Sequence, residues 1–185
     1  MTSTHCHRCT KDIQPALEKQ GVCETCFFEL IEHRAGKVLK NHSFKKGDNV
    51  LIIDDNSKES AVTNYLFRKI LSHVPLTIET QKQNREVITT ASPQHHTIII
   101  PWDLEDEAAA TLTAIVNKEP TPPTPNIKLL KTIHDHEIKL FADLKHFTYT
   151  EHEQNTLQQA FRTMQEKHPN TTAAFVKSIK QLQQS

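Results

Sequence analysis

Beyond Gly47 the sequence has no glycine; its 185 residues include only Gly21, Gly36 and Gly47. Phosphate-cradling loops use glycine for positive φ and for close approach of backbone amides to the anion. A glycine-rich nucleotide loop is therefore excluded from the C-terminal three-quarters of the chain. Cysteine is just as confined, with all four residues between positions 6 and 26. Net charge is missing too: 22 Lys plus Arg balance 22 Asp plus Glu. No global basic field announces a nucleic-acid binder. No run of about 18 apolar residues occurs, and the opening "MTSTHCHRCT" lacks an apolar signal core. A soluble intracellular chain with no membrane association is expected. At 36% apolar residues, below the roughly 45–50% of globular domains, its core should be modest.

The cysteines form two Cys-x-x-Cys pairs, Cys6/Cys9 and Cys23/Cys26, with 13 residues between them. In a reducing compartment this spacing reads as metal binding rather than as two disulfides. A two-residue gap lets both thiolates of a knuckle reach one ion at about 2.3 Å, and two knuckles close a tetrahedral zinc site. No ligand position is then left open for catalysis. Structural zinc is the expectation; an empty degenerate site and redox chemistry of a single pair are the alternatives. His5 and His7 flank the first knuckle and read as solvent-facing.

After the second knuckle, residues 24–42 read as a helix with Phe27, Ile31, Ala35 and Val38 on one stripe. Arg34, Lys37, Lys40, Lys45 and Lys46 make a basic run there, either a solvated face or an RNA contact. "VLII" (50–53) is a short, wholly apolar strand, followed by "DDNSKES" and a helix placing Val62, Leu66, Ile70 and Leu71 inward. Residues 75–81 and 97–101 read as further strands. Residues 102–116 read as a helix using Leu104, Ala108, Leu112 and Ile115. Strand–helix alternation implies a parallel α/β layer, with ligand loops beyond the strand C-termini at "DDNSKES" and "WDLEDE". Both loops are acidic. Asp54, Asp55 and Glu59 on one and Asp103 to Glu107 on the other suggest either a cation or base site, or helix-start acids that complement the dipole. Either arrangement repels a triphosphate.

"NKEPTPPTPN" (117–126) carries four of the nine prolines and reads as a semi-rigid linker. The remainder reads as helical, with Ile133, Leu140, Phe141 and Leu144, then Leu157, Phe161 and Met164, then Phe175, Ile179 and Leu182 as apolar positions. His134 and His136 read as surface residues on opposite sides of a helix, and His95-His96 as loop decoration. The expected organisation is a zinc-knuckle module with a basic helix (1–45), a reduced α/β domain (46–118), a linker (119–126) and a helical C-terminal region (127–185).

The order of these parts resembles the tRNA thiolation group of PP-loop proteins, and within it the non-catalytic second subunit of the cytoplasmic tRNA 2-thiolation complex. The resemblance rests on the two knuckles with Cys26-Phe27, on "KKGDNVLIIDDNSKES", and on the C-terminal stretch containing Glu137-Ile138, Phe141-Ala142 and His168-Pro169. Asp55-Asn56-Ser57-Lys58-Glu59-Ser60 stands where active members carry S-G-G-x-x-S, and only Ser60 matches. Asp55, Asn56, Ser57 and Ser60 thus mark a degenerate nucleotide loop. "PWDLEDEAA" lacks the glycine and histidine of the corresponding catalytic segment, and no cysteine follows Cys26. The resemblance implies a cytoplasmic, zinc-bearing subunit that binds no ATP and has no catalytic residues of its own. It implies that the chain contacts tRNA through the basic run and pairs with a catalytic PP-loop thiolase subunit, which is served by a ubiquitin-like sulfur carrier. The rival readings are a stand-alone zinc-ribbon adaptor unrelated to thiolation, an active sulfurtransferase with a diverged loop, and a redox enzyme.

Overall fold

The structure, a computed structural model, describes residues 5–82, 97–118, 126–151 and 155–183. His95-His96 and nearly all of the expected linker lie outside the described residues, as does the side chain of Leu182. A 3-10 helix (Pro15–Gln20) joins the two knuckles, and Cys23 starts helix α1 (Glu24–Leu39). Strand β1 (Asn49–Asp54) follows, then α2 (Lys58–Ile70), β2 (Thr77–Lys82), β3 (Thr97–Ile100) and α3 (Leu104–Asn117). The chain continues through β4 (Ile127–Lys128), α4 (Asp135–Leu144), α5 (Thr156–Lys167) and α6 (Thr171–Gln183).

The four strands are all parallel, in the order β2-β1-β3-β4. Val50 pairs with Ile78, Leu51 with Ile98, and Ile99 with Ile127. The chain goes from β1 to one neighbour and returns to the other side with β3, so the topological switch point lies beyond the C-termini of β1 and β3. Alternation sends Val50 and Ile52 to one face of the sheet and Leu51 and Ile53 to the other, and all four are at most 4% exposed. Removing such side chains from water on both faces contributes roughly 1.5–3 kcal/mol each. The stretch expected to be helical from residue 127 opens instead with β4. A two-residue strand is too short to show a period, but its Ile127 is buried against the sheet.

One apolar cluster runs through the cysteine module, α1, one face of the sheet, α2 and α4. Phe28 meets Phe141 edge-on at 4.9 Å, and Phe27 and Tyr65 pack on the same ring at 6.5 and 5.8 Å. A separate cluster joins Leu104 and Ala108 of α3 to Phe161 of α5 and Val176 of α6. Two positions read as inward are exposed: Ile115 and Met164 are each 42% accessible. Both keep the helical period of their neighbours, but the period marks a face without saying how far along the helix a partner reaches. Among the described residues no helix is long and apolar enough to cross a membrane.

Candidate functional site: a four-cysteine centre and a closed strand-end loop

The two knuckles converge. All four Sγ atoms, of Cys6, Cys9, Cys23 and Cys26, lie within 4.8 Å of one another, with Cys9 and Cys23 3.4 Å apart. Cys6, Cys23 and Cys26 are buried and Cys9 half-buried. The first knuckle is built by Cys6 N–H donating to Lys11 O (2.7 Å) and Thr10 N–H to Cys6 O (3.0 Å), with Thr10 left-handed at φ 65°. His7 N–H donates to Gly21 O at 3.1 Å, tying that knuckle to the turn before Cys23. Gly21 is left-handed (φ 65°), and a Cβ there would stand 2.7 Å from the His7 ring. Burial works against ionising Cys6, yet backbone amides of Cys23, Arg8 and Cys9 hold its thiol at about 6. Cys26 is pushed up to about 12, first by its hydrogen bond to Cys9 and then by burial. Four crowded thiols resist losing all their protons unless a cation joins them. His5 and His7 are exposed as expected, His5 meeting Asp12 at 3.1 Å.

The "DDNSKES" loop sits at the switch point and is closed by its own side chains. Asp54 accepts from Asn56 N–H (2.9 Å) and from the Ser60 hydroxyl (2.8 Å). Asp55 accepts from Ser57 N–H (3.1 Å) and Ser57 Oγ (2.5 Å). Ser57 caps α2, accepting from Ser60 N–H at 3.1 Å, which is why the helix starts three residues before its apolar pattern does. Asn56 takes the left-handed turn (φ 60°) without glycine, as its short polar side chain permits. Backbone amides of Asn56, Ser57 and Ser60 are thus already bonded inside the loop.

Lys58 points back into this corner, with its ammonium 2.9 Å from Glu59 and 2.8 Å from Asp135. Arg162 pairs with the other oxygen of Asp135. Glu59, Asp103 and Asp135 bring carboxylate oxygens within 4.8 Å of one another. Burial, and then Asp106, Glu105 and Glu59, raise Asp103 well above the ordinary carboxylate value. Lys58 and Arg162 thus face the carboxyl groups of Glu59, Asp103 and Asp135, and much of the corner's charge is balanced from within.

The α3 acids are helix-start acids, but buried and bonded rather than solvated. Asp103 and Asp106 form a reciprocal capping box, at 2.7 and 3.1 Å. Glu107 accepts from Lys128 (2.9 Å) and the Trp102 indole (3.2 Å). Glu105 accepts from Asp135 N–H at 3.0 Å and meets His134 Nδ1 at 2.8 Å. His134 and His136 do not point to opposite sides of a helix. His134 precedes the first turn of α4, so helical spacing does not separate the pair. His134 is buried, and its ring stacks on the exposed His136, with centroids 5.5 Å apart and planes at 21°.

The basic run divides. The Arg34 guanidinium is committed to the fold: it donates to both Glu137 oxygens at 2.7 and 2.8 Å and to Thr132 O. Lys37, Lys40, Lys45 and Lys46 are exposed.

No family model matches this chain, and no curated protein does. Among solved structures it is similar to the U34-tRNA thiolase NcsA from Methanococcus maripaludis, determined with its 4Fe-4S cluster. That likeness has a TM-score of 0.72 at 15% identity, and covers 98% of this chain and 88% of the other. At this identity what the two chains share is a fold: a parallel α/β sheet with flanking helices, matched along nearly the whole chain.

Proposed function

We propose that this chain is a non-catalytic partner subunit in 2-thiolation of wobble uridine in cytoplasmic tRNA, supporting a catalytic PP-loop thiolase subunit. The observation that carries the reading is the closed loop at the switch point of a thiolase-like fold. Asp54, Asp55 and Ser57 take up the amides of Asn56, Ser57 and Ser60, and Lys58 neutralises the corner from inside. A bound nucleotide would have to displace these contacts and face the carboxylates behind them. We therefore assign the loop no ATP binding and the chain no adenylation of its own.

Cys6, Cys9, Cys23 and Cys26 hold one structural zinc in this reading. A zinc ion bound at about 2.3 Å sets its sulfurs about 3.8 Å apart, which suits Sγ atoms grouped within 4.8 Å. An iron–sulfur cube bonds each cysteine to a different iron and spreads the sulfurs more widely. The close grouping of the four thiols supports a single zinc ion over a cluster of the neighbour's kind in this reading. Exposed Lys37, Lys40, Lys45 and Lys46 supply the tRNA contact, and Arg34 holds α1, which carries Lys37 and ends at Lys40, against α4.

The test is mass spectrometry of wobble 2-thiouridine in tRNA from cells with and without the chain. Loss of the modification in its absence, with no ATP-dependent adenylation of tRNA by the purified chain, supports the assignment. Unchanged thiolation leaves a stand-alone zinc-ribbon adaptor, a reading favoured only by the cysteine centre.

A further inference from the structure

A cleft of about 770 Å³ opens between the 3-10 helix, α4 and the α5–α6 corner. Its size falls within the roughly 300–1,000 Å³ of small-ligand pockets. Its floor holds the stacked rings of His134 and His136. The inner ring is immobilised: His134 is buried, its Nδ1 meets Glu105 at 2.8 Å, and Asp135 N–H fixes the other oxygen of that carboxylate. The outer ring, His136, is exposed. The result is a short aromatic stack, anchored from behind and ending in an accessible ring.

The surrounding polar groups narrow the ligand. Most of the acids lining the cleft are engaged: Glu105 with His134, Asp135 with Lys58 and Arg162, and Glu137 with Arg34. A second cation is not needed there, and an anionic ligand gains little. The Oε1 atom of Gln165, which lines the cleft, is buried with no hydrogen-bond partner among the described residues. Lys19, exposed on the 3-10 helix, lies at the rim, where a phosphate could remain in water. A flat group that stacks on the exposed ring while an attached phosphate stays outside near Lys19 matches an unpaired nucleobase of RNA. Single-stranded RNA loops present such bases, and proteins take them on aromatic or histidine faces.

We propose that this cleft receives one unpaired RNA base, stacked on the exposed face of His136. The inference rests on the RNA-binding reading above and adds to it a position for a base.

The probes are anticodon stem-loop RNAs with 2-aminopurine at each unpaired loop position in turn, titrated with the full chain. Binding is read by anisotropy and stacking by quenching of the 2-aminopurine. One position is expected to be quenched. In His136→Ala that quench disappears and affinity falls about tenfold, a typical effect of losing one stacked base, while His136→Phe restores both. The exposed ring is not needed for folding, so the melting temperature of His136→Ala should match that of the parent. If that variant unfolds, His136→Phe decides, since loss of quenching in a folded aromatic variant overturns the proposal. RNA binding with no quenched position, or with a quench identical in His136→Ala, overturns the cleft assignment and leaves RNA binding intact. No binding by the parent chain overturns the RNA reading, and this proposal with it.

Discussion

The ammonium of Lys58 lies 2.8 Å from an oxygen of Asp135, joining the start of α2 to the start of α4 across the switch point of the sheet. The corner where parallel α/β proteins bind their ligands is here closed by an internal ion pair. Both side chains are almost wholly buried, so each depends on the other for its charge to be tolerated.

Removing the ammonium leaves Glu59 and Asp135 short of a cation. Lys58→Met should destabilise the chain by about 3–5 kcal/mol, the usual effect of breaking a buried pair from one side. Urea unfolding of the full chain measures this. Burial is the largest single influence on Lys58 and lowers its pKa, but Glu59 and Asp135 together outweigh it and raise the pKa above the ordinary lysine value. The pair's contribution is therefore complete below about pH 10.4 and declines as pH rises through the higher folded value. A Lys58→Met chain as stable as the parent would mean that the corner is not closed by this pair.

Asp103 has the opposite dependence. Its folded pKa is raised, so the folded chain retains a proton that the unfolded chain releases above about pH 4. Stability from this group falls as pH climbs from there towards the folded value. Asp103→Asn keeps an acceptor for Asp106 N–H and removes the titration. Thermal melts should show it more stable than the parent at pH 7, with the difference closing near pH 3. A gap that stays constant with pH would show that Asp103 does not titrate abnormally.

One zinc per chain is expected by elemental analysis of the purified protein, with no iron. Cys23→Ser and Cys26→Ser should abolish it, and because Cys6 to Phe141 share one apolar cluster, the loss should loosen α1 as well. Near-UV circular dichroism reports the packing of Phe27, Phe28 and Tyr65. Stoichiometric iron, or an unaltered aromatic spectrum without metal, would reject a structural zinc.

Gly21→Ala tests how the knuckles are joined. The new methyl meets the His7 ring at 2.7 Å and places a side chain at φ 65°, a conformation that costs about 1–2 kcal/mol for L-residues. Chelator competition should show weaker zinc retention. Adding His7→Ala should recover only the steric part. Unchanged retention in Gly21→Ala would mean that the turn adapts.

The lysines and Arg34 separate cleanly. Reversing Lys37, Lys40, Lys45 and Lys46 to Glu should weaken tRNA binding and reduce the salt slope by roughly 0.7–0.9 for each phosphate that is no longer neutralised. Arg34→Ala should instead lower stability by about 1.5–3 kcal/mol, the range for hydrogen bonds to charged groups, and leave the slope alone. An unchanged slope in the lysine variant would place the RNA elsewhere.

What the sequence determined by itself is what depends on near neighbours. The spacing of Cys6, Cys9, Cys23 and Cys26 was enough to foresee their convergence, because each knuckle is a local turn. The apolar blocks at 50–53 and 97–101 and the stripes of α1, α2 and α3 were legible because strand and helix periods are local too. Tertiary structure decided the rest. Ile127-Lys128 is a strand only because β3 offers it an edge. Arg34 looked like part of a basic surface until Glu137, 103 residues away, claimed it. His134 and His136 share a stack because α4 begins after the first of them and Glu105 holds that ring from another helix. Lys58 stands in an acidic, glycine-free loop that reads as a ligand loop beyond a strand end, yet the fold turns it inward onto Asp135. In each case the deciding partner is distant in sequence, so no local pattern could encode the contact.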